Sequence, residues 1–350
     1  TLRRLHEFDL HLGGIPDGGS LIPGEDKNHY LLSSLMEEAI ASSQLEGAVM
    51  TREEAKEMLR TQRKPRNHSE KMILNNYLTM RKILETRHQK LTPDLLLDIH
   101  ATITKDTLSD PAKEGQFRQN DDVRAEDVTT GEVFYLPPAQ KHLAQLIQDF
   151  CAFANEEGGS EFIHPIIRAT ILHFLIGYIH PFGDGNGRTA RAIFYWYLIA
   201  KGYWLIEFMA ISRIILKSNV QYAKAYLYTE LDDNDLTYFI NYQLKSLDMA
   251  FKSLREYIAR KAREKRALFE LVKTEGINER QTELLRKMMT DGQKTLTIRE
   301  VQHLFSVVYQ TARTDLLNLA ERGFLEAKTV GKKLIFYRSV TFEQRVSSLR

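Results

Sequence analysis

Residues 180–191 have the sequence HPFGDGNGRTAR, a polar stretch between two apolar segments, 166–179 and 192–200. Each segment is too apolar around its circumference to form a surface helix, so the pattern predicts a buried helix, a tight polar loop and a second buried helix. Three glycines, Gly183, Gly185 and Gly187, permit backbone geometry that side chains forbid. Consecutive N–H groups can therefore converge at the start of the second helix, where anions bind.

The charged residues of this stretch suit a nucleotide. Arg188 and Arg191 lie three residues apart on the first turn of the second helix, where both guanidinium groups can reach outer phosphates. Asp184 is a hard oxygen ligand for a phosphate-bound Mg²⁺, and His180 is placed to take a proton from a nucleophile. No Gly-Lys-Ser/Thr follows the glycines, which excludes a Walker A loop. The stretch predicts a site that transfers part of a nucleotide.

The stretch resembles the Fic family signature, His-x-Phe-x-Asp/Glu-Gly-Asn-Gly-Arg-x-x-Arg, and matches it at every specified position. The resemblance implies transfer of AMP from ATP to a hydroxyl of a target protein, with His180 as general base and Asp184 as Mg²⁺ ligand. It implies nucleotide binding by Gly183, Gly185, Asn186, Gly187, Arg188 and Arg191. Related Doc-type kinases carry Lys at the last glycine of the loop, so Gly187 favours AMP transfer over phosphorylation.

A second motif lies near the N-terminus. The apolar period of residues 30–45 predicts a helix that ends at Gly47. Its last residues, Ser42 to Gly47, resemble the inhibitory motif of Fic proteins, Ser/Thr-x-x-x-Glu-Gly/Asn. The resemblance implies that Glu46 reaches Arg191, occupies the place of the γ-phosphate and inhibits the enzyme in cis. In some relatives the same glutamate supports AMP removal, so deAMPylation stays open.

Composition limits the other classes of function. The 350 residues predict two or more domains, and 43% hydrophobic with 27% charged residues is typical of a globular protein. A net charge of +2 does not predict nucleic-acid binding by the whole chain. The single cysteine excludes an internal disulfide, and no run is long enough to span a bilayer. We therefore expect a cytoplasmic protein.

The expected fold is mainly α, a Fic-type helical core with a β-hairpin flap and a small C-terminal winged-helix (α+β) domain. Residues 1–65 would form an N-terminal arm and the inhibitory helix, with 1–28 irregular because they are rich in Gly, Pro and Asp. The catalytic core would span 66–250, a connector helix 251–277 and the winged helix 278–350.

The predicted flap lies in the polar stretch 113–136, whose strand-like ends flank a turn at Gly131. An ordinary surface hairpin is the alternative. In Fic proteins a hairpin at this place pairs with the target backbone. The resemblance implies docking residues Thr129, Gly131, Val133 and Phe134. The preceding stretch 115–118 also resembles the family, and we expect Arg118 to be structural rather than catalytic.

Two further sets of residues are assigned by pattern. Tyr222 and Tyr226 lie one helical turn apart, and family similarity puts such residues near the adenine, with core packing as the alternative. In 278–340 the order of three helices and a hairpin predicts a winged helix whose recognition helix opens at 310–314. DNA contact would use Arg313, Lys328, Lys332 and Lys333. Dimerisation or target choice is the alternative role of this domain.

The function that accounts for both motifs is an autoinhibited protein adenylyltransferase. It would modify a Ser, Thr or Tyr hydroxyl of a target protein or of itself. A nucleotide-sensing DNA-binding regulator is the competing hypothesis. Transfer of another group, such as UMP or phosphocholine, stays open because the phosphate-binding residues would look alike. The target protein and a homodimer also stay open.

Overall fold

In a computed structural model of the chain, the described residues are 1–13, 27–123, 125–126, 133–157, 161–275, 277–290, 295–330 and 333–342. They form two compact units, Thr1–Leu254 and Arg255–Arg350. Both are mainly helical, as the sequence predicts. The predicted domain boundaries at 65 and 277 remain predictions. No described helix is both long and apolar enough to cross a membrane.

The first unit is built from helices that follow one another along the chain. Their bounds are α1 Leu2–Leu12, α2 Lys27–Leu45, α3 Arg52–Thr61, α4 His68–Thr86, α5 Pro93–Thr104, α6 Leu143–Ala154, α7 Pro165–Ile179, α8 Asn186–Ala200, α9 Ile211–Lys217, α10 Asn219–Leu231 and α11 Thr237–Glu275, the last of which continues into the second unit.

The centre of this unit is the pair α7 and α8, which pack against each other. Every residue of α8 from Asn186 to Ile199 is buried except Gly187, because residues 192–199 are apolar on all sides and neighbouring helices surround α8. Helices α4 and α5 cover α8, and α2 packs against α4, α8 and α9. The loop that joins α7 to α8 is therefore held between buried elements.

Capping residues mark the ends of several helices. Thr51 accepts a hydrogen bond from the N–H of Glu54 at the start of α3, and Thr92 does the same for α5, with Pro93 at its first position. After α2, Gly47 adopts a left-handed φ of 89°. The N–H of Ala48 donates to the Ser43 carbonyl at 3.0 Å. This is the 6→1 hydrogen bond of a Schellman motif.

The prediction of an irregular arm at residues 1–28 was wrong for 2–12, which form α1. Leu5, Phe8 and Leu12 are buried at spacings of three and four residues, so a single apolar stripe fixes this helix on the body. Asp9 adds polar contacts, accepting from the Tyr203 hydroxyl and lying 3.0 Å from His164 Nε2. The glycine-rich part, 14–26, lies outside the described residues.

The predicted flap contains a hairpin. Strands β1 Ala125–Glu126 and β2 Val133–Tyr135 pair antiparallel, with Ala125 opposite Tyr135. The Tyr135 hydroxyl donates to the Tyr178 carbonyl at 2.7 Å, which ties the hairpin to the end of α7. Thr129 and Gly131 lie outside the described residues, and Val133 and Phe134 are described by backbone alone.

The second unit follows α11 with an α+β arrangement. Its further elements are α12 Glu279–Thr290, β3 Thr295–Thr297, α13 Ile298–Phe305, α14 Tyr309–Glu321, β4 Leu325–Val330 and β5 Lys333–Arg338. The strands lie in the order β3-β5-β4 and all pairs are antiparallel. Leu316 of α14 and Phe336 of β5 lie in the hydrophobic core of this unit. The three helices and the hairpin match the predicted winged-helix order, and β3 is an additional strand that the sequence did not predict.

Candidate active site

The loop between α7 and α8 turns on two left-handed residues. His180 closes α7 with φ 48°, and its N–H donates to the Ile176 carbonyl at 3.0 Å. Gly185 precedes α8 with φ 83°. A Cβ at Gly185 would lie 2.9 Å from Thr104 Cγ2 and 3.3 Å from His100 Nε2. Gly185 is therefore required both by its backbone angle and by the closeness of α5.

Asn186 fixes the shape of this loop. Its side-chain oxygen accepts from the Phe182 N–H at 3.0 Å, and its side-chain nitrogen donates to the Phe182 carbonyl at 2.8 Å. The phosphate contact that the family resemblance implies for Asn186 remains a prediction; in the structure its side chain binds the loop's own backbone. The first N–H groups of α8, which include those of Asn186 and Gly187, have no partner within the helix and form an anion-binding end.

His180 has a defined tautomer. Its Nδ1 lies 3.1 Å from the Gly177 carbonyl, and a carbonyl can only accept, so Nδ1 carries the hydrogen. Nε2 then keeps its lone pair. Burial lowers the pKa of His180, and the nearby Arg118 charge lowers it further. The imidazole is therefore neutral at neutral pH and can accept a proton through Nε2.

Arg118 holds the backbone of the loop. Its Nε donates to the His180 carbonyl at 3.0 Å, and its own N–H donates to the Pro181 carbonyl at 2.9 Å. Nη1 binds the Asn120 carbonyl and the Asp121 carboxylate, each at 2.9 Å. These contacts fit the structural role expected for this arginine.

Arg188 is a buried cation with weak partners. Its side chain is 2% exposed, its Nη1 lies 3.4 Å from the Ile103 carbonyl and its Nη2 lies 3.5 Å from Asp184 Oδ1. Its Nε has no hydrogen-bond partner among the described residues. Burial lowers the pKa of Arg188, the direction expected for a charge without a close counter-ion. An anion in front of α8 would satisfy this guanidinium.

Arg191 contacts the end of α2, as the inhibitory motif predicts. Its Nη2 lies 2.8 Å from Glu46 Oε1 and 2.9 Å from the Ser42 carbonyl, and its Nε donates to Ser42 Oγ at 2.9 Å. Burial disfavours the charged form of Arg191, but Glu46, Tyr222 and Glu38 together outweigh burial and raise the pKa of Arg191. The residues of both motifs thus meet although 145 positions separate Glu46 from Arg191.

Gly187 allows this approach. A Cβ at Gly187 would contact Glu46 Oε1 and lie 3.0 Å from its Cδ. The Glu46 carboxylate therefore stands directly at the N-terminal end of α8, where an anion is stabilised by free N–H groups and the helix dipole.

Helix α2 is also tied to the core by a buried carboxylate that no sequence motif indicates. Glu38 is 1% exposed. It accepts from the Tyr195 hydroxyl of α8 at 2.7 Å and from the Ser212 N–H of α9 at 2.9 Å. Burial raises the pKa of Glu38 against these hydrogen bonds. Glu38 lies two turns before Glu46, so it fixes the helix that carries the motif.

Asp184 is the candidate metal ligand. Its side chain is 60% exposed, and one carboxylate oxygen accepts from the Gly185 N–H. The described residues contain no group of three or more His, Cys, Asp or Glu that could hold a metal ion. Mg²⁺ is typically held by one or two carboxylates together with substrate phosphates and waters. A single exposed carboxylate beside an anion site fits that mode.

His100 is a site residue that lies outside both sequence motifs and was not predicted. Its ring stacks on Phe182 at 3.7 Å, its Nε2 lies 2.9 Å from the Asp184 carbonyl, and its Nδ1 accepts from the Gly115 N–H at 3.1 Å. Burial lowers the pKa of His100 to about 4, so the ring is neutral and Nε2 donates. The one feature of the sequence that could have indicated His100 is the position of a histidine on the apolar face of α5.

The two tyrosines of α10 lie against α7. Tyr222 Oη is 2.8 Å from His173 Nε2, and the Tyr226 hydroxyl donates to the His173 carbonyl at 3.3 Å. The Tyr226 ring fills the space that Gly177 leaves, since a Cβ there would lie 2.6 Å from Tyr226 Cε1. The adenine contact expected of both residues remains a prediction.

Comparison with known proteins agrees with this geometry. Residues 90–198, which contain α5 through most of α8, match the model of the Fic/DOC family. Over those residues the chain is similar to proteins of the Fic/DOC family. It is 33% identical over 166 residues to protein adenylyltransferase Fic of Drosophila virilis, covering 45% of this chain and 32% of that protein. For the Drosophila willistoni protein of the same name the identity is 30% over 211 residues, covering 57% and 39%. The chain thus spans about a third of the length of these curated relatives.

Solved structures of Fic proteins share the fold. A Fic family protein from Desulfovibrio desulfuricans G20 has a TM-score of 0.58 at 17% identity, covering 97% of this chain and 94% of that one. Fic-1 from C. elegans has a TM-score of 0.58 at 18% identity, covering 75% and 72%. At these identities the likeness concerns the fold alone.

Proposed function

We propose that the chain is a protein adenylyltransferase that transfers AMP from ATP to a hydroxyl of a target protein or of itself. The observation that carries the proposal is the neutral His180, whose Nε2 has no hydrogen-bond partner among the described residues and which lies in the loop that leads to the anion-binding end of α8. Relatives named protein adenylyltransferase support it. Two buried arginines on that helix supply the positive charge that an ATP polyphosphate requires.

In the proposed reaction, His180 Nε2 accepts the proton of the target hydroxyl, whose oxygen attacks the α-phosphorus of ATP. The bond from that phosphorus to the bridging oxygen breaks, and pyrophosphate leaves. Arg188 and the N–H groups of α8 hold the phosphates. Mg²⁺, bound by Asp184 and the phosphates, would neutralise charge on the leaving group. Positioning and charge, rather than covalent chemistry from the protein, carry the step.

Glu46 is proposed as an inhibitor in cis. Its carboxylate contacts Arg191 at 2.8 Å and stands at the end of α8 that a phosphate would approach. A phosphate there would meet a negative charge and a guanidinium that is already engaged. The triphosphate would then be misaligned for attack on its α-phosphorus, which slows transfer.

Intact mass spectrometry tests both parts of this proposal. We expect Glu46→Gly, incubated with ATP and Mg²⁺, to gain the mass of AMP, and Glu46→Gly/His180→Ala to gain nothing. Labelled ATP in cell lysate extends the test to other target proteins. Parallel incubations with UTP and CDP-choline test the other transferable groups. Absence of His180-dependent transfer from ATP in both settings would contradict the proposal.

Removal of AMP is tested separately with the same proteins. AMP-modified Glu46→Gly protein is purified away from ATP and mixed with His180-intact protein that retains Glu46. Loss of the AMP mass only in the presence of that glutamate would support hydrolysis by the site. Persistence of the mass would restrict the proposal to transfer.

DNA binding by the second unit is the second candidate. The start of α14 is exposed at Gln310 and Thr314, and the half-buried Arg313 has no hydrogen bond or ion pair within the described part of the chain. Lys328 on β4 is 63% exposed. We expect Arg313→Ala to weaken DNA binding and to reduce its salt slope by about one, as the loss of one phosphate contact does. A chain lacking residues 276–350 that binds DNA as tightly as the whole chain would exclude this role.

A further inference from the structure

His100 on α5 joins two segments that border the loop between α7 and α8. The side chain is fully buried. Its Nδ1 lies 3.1 Å from the Gly115 nitrogen, and its Nε2 lies 2.9 Å from the Asp184 carbonyl oxygen. A backbone N–H can only donate, so Nδ1 accepts from Gly115 and the ring hydrogen lies on Nε2. His100 therefore donates a hydrogen bond to the Asp184 carbonyl.

The ring of His100 is held in place by aromatic stacking. It lies parallel to the Phe182 ring, with 3.7 Å between the ring centroids and 3° between the planes. Phe182 also stacks on Phe117 at 5.5 Å. A Cβ at Gly185 would lie 3.3 Å from His100 Nε2, so this nitrogen is also close to the backbone of the residue after Asp184. The hydrogen bond to Asp184 therefore starts from a fixed position.

One peptide unit connects this hydrogen bond to the candidate metal ligand. The carbonyl of Asp184 and the N–H of Gly185 belong to the same trans peptide, so they point in opposite directions. His100 binds the oxygen of this peptide, and Asp184 Oδ1 accepts from its N–H. The same Oδ1 lies 3.5 Å from Arg188 Nη2, and Oδ2 has no hydrogen-bond partner in the described part of the chain. Rotation of this peptide would therefore move the Asp184 carboxylate.

We propose that His100 is a positioning residue for the metal ion of the proposed reaction. By holding the Asp184 carbonyl, it keeps the Gly185 N–H and the carboxylate bound to it beside Arg188. Asp184 Oδ2 is then free to bind Mg²⁺ together with the phosphates of ATP. This inference rests on the proposed function, because it requires a nucleotide in front of α8. A purely structural His100 would stabilise the loop without affecting metal binding.

Two substitutions separate the two nitrogens of His100. Glutamine Nε2 is as many bonds from Cβ as histidine Nε2, so His100→Gln can retain the donor to the Asp184 carbonyl. Asparagine Oδ1 matches histidine Nδ1 in the same way, so His100→Asn can retain the acceptor for the Gly115 N–H but lacks a donor to Asp184. Both variants lose the ring that stacks on Phe182. A difference between them therefore reports the hydrogen bond to Asp184.

Isothermal titration with ATP, in Mg²⁺ and in EDTA, measures the contribution of the metal without relying on activity. The parent is Glu46→Gly/His180→Ala, in which the inhibitory carboxylate is absent and turnover is blocked. In Mg²⁺, His100→Asn should raise the Kd of ATP about tenfold, as loss of a residue that orients a metal ligand does. In EDTA the same variant should change the Kd by less than about twofold, and His100→Gln should change neither constant by more than about twofold.

Two further variants complete the test. Asp184→Ala, which removes the ligand itself, should also weaken ATP in Mg²⁺ and not in EDTA. His100→Phe keeps the stacked ring and lacks both hydrogen bonds, so it should behave like His100→Asn and replaces the polar variants if they do not fold.

Three results would contradict the inference or its basis. A purely structural role would follow if His100→Asn and His100→Gln weakened ATP equally in Mg²⁺, or if the weakening by His100→Asn were as large in EDTA. An Asp184→Ala variant that bound ATP in Mg²⁺ as tightly as the parent would also overturn the inference, since there would be no metal ligand to position. Failure of the parent itself to bind ATP would instead reject the proposed function.

Discussion

His180 shows how one hydrogen bond fixes the tautomer of a histidine. The Gly177 carbonyl fixes the hydrogen on Nδ1, and burial keeps the ring neutral by lowering its pKa. Removing Glu46 lowers that pKa further, because the carboxylate charge favours the imidazolium. If His180 is the base of the proposed reaction, its imidazole is therefore already neutral at neutral pH and can accept a proton.

The pH dependence of Glu46→Gly follows from this. A lowered pKa means that His180 becomes protonated only as the pH falls below the ordinary histidine value of 6.5. We expect kcat/KM for AMP transfer, measured with saturating Mg²⁺, to be constant around neutral pH and to fall below 6.5. An acidic limb centred above 6.5 would show that the base is not a buried His180.

His100 should matter for stability as well as activity. His100→Phe keeps a ring to stack on Phe182 but leaves the Gly115 N–H and the Asp184 carbonyl without their partner. We expect a loss of about 1–3 kcal/mol in the free energy of unfolding, measured with urea, together with lower AMP transfer. The exposed His68→Phe should change stability by less than about 0.5 kcal/mol. If His100→Phe lowered the free energy of unfolding no more than His68→Phe does, this account would be contradicted.

At the scale of single residues, the sequence predicted the charged site residues but not the hydrogen bonds that hold the site in shape. His180, Asp184, Arg188 and Arg191 follow from a contiguous motif, and Glu46 from a second one. The supporting contacts of His100, Glu38 and Asn186 could not be predicted, because their partners are backbone atoms or distant side chains that only the fold brings near.

Helix α2 ends in a geometry that orients Glu46. Gly47 has φ 89°, and a Cβ there would meet nothing within 4 Å. A side chain at this position would therefore destabilise the protein only through the unfavourable left-handed backbone conformation and not through a steric clash. Gly47→Ala should destabilise the protein by about 1 kcal/mol and should raise basal AMP transfer by disturbing the inhibitory end. Asn tolerates this conformation better, so Gly47→Asn should have smaller effects.

Gly202 supplies the matched control for that experiment. It follows α8 with φ 86°, and a Cβ at this position would likewise meet nothing within 4 Å. Gly202→Ala should cost similar stability without raising AMP transfer, since it lies outside α2. Equal activation by both variants would mean that general loosening, rather than the end of α2, controls activity.

The contact of α7 with α10 depends on Gly177. Ala normally stabilises a helix interior by about 1 kcal/mol over Gly. Here the added methyl would meet the Tyr226 ring at 2.6 Å, and overpacking of this kind costs about 1–3 kcal/mol. We expect Gly177→Ala to lower the free energy of unfolding in urea, and Tyr226→Leu to relieve part of that loss in the double variant. A stabilised Gly177→Ala would refute the packing argument.

Elements with strong apolar periods and capping residues were predictable, among them α2, α3, α5 and the helices of the second unit. Helix α1 was missed because the glycines and prolines that follow it dominated the composition of residues 1–28. Strand β3, only Thr295–Thr297, is too short to show a period, and its pairing with β5 is decided by tertiary structure.

On the scale of the whole molecule, the chain consists of two units with separate cores. Asp315 stabilises the second unit from within. It is 3% exposed and accepts from Asn278 Nδ2 at 2.9 Å and from Arg280 Nε at 2.8 Å. Separate cores predict separate unfolding, since two-state behaviour belongs to domains and not to chains.

Differential scanning calorimetry of Glu46→Gly should therefore show two transitions. Adding Asp315→Ala leaves Arg280 and Asn278 without their partner. It should destabilise the second unit by about 1–3 kcal/mol, less than the loss of a fully buried ion pair, because Arg280 is partly exposed to solvent. Only one transition should move, and AMP transfer at a temperature below both should stay unchanged.

Glu283→Ala, which removes an exposed ion pair of the same unit, should shift neither transition by more than about 0.5 kcal/mol in stability. If Asp315→Ala instead moved a single transition and lowered AMP transfer in proportion, the second unit would be part of the catalytic body, and a separate DNA-binding role would lose its structural basis.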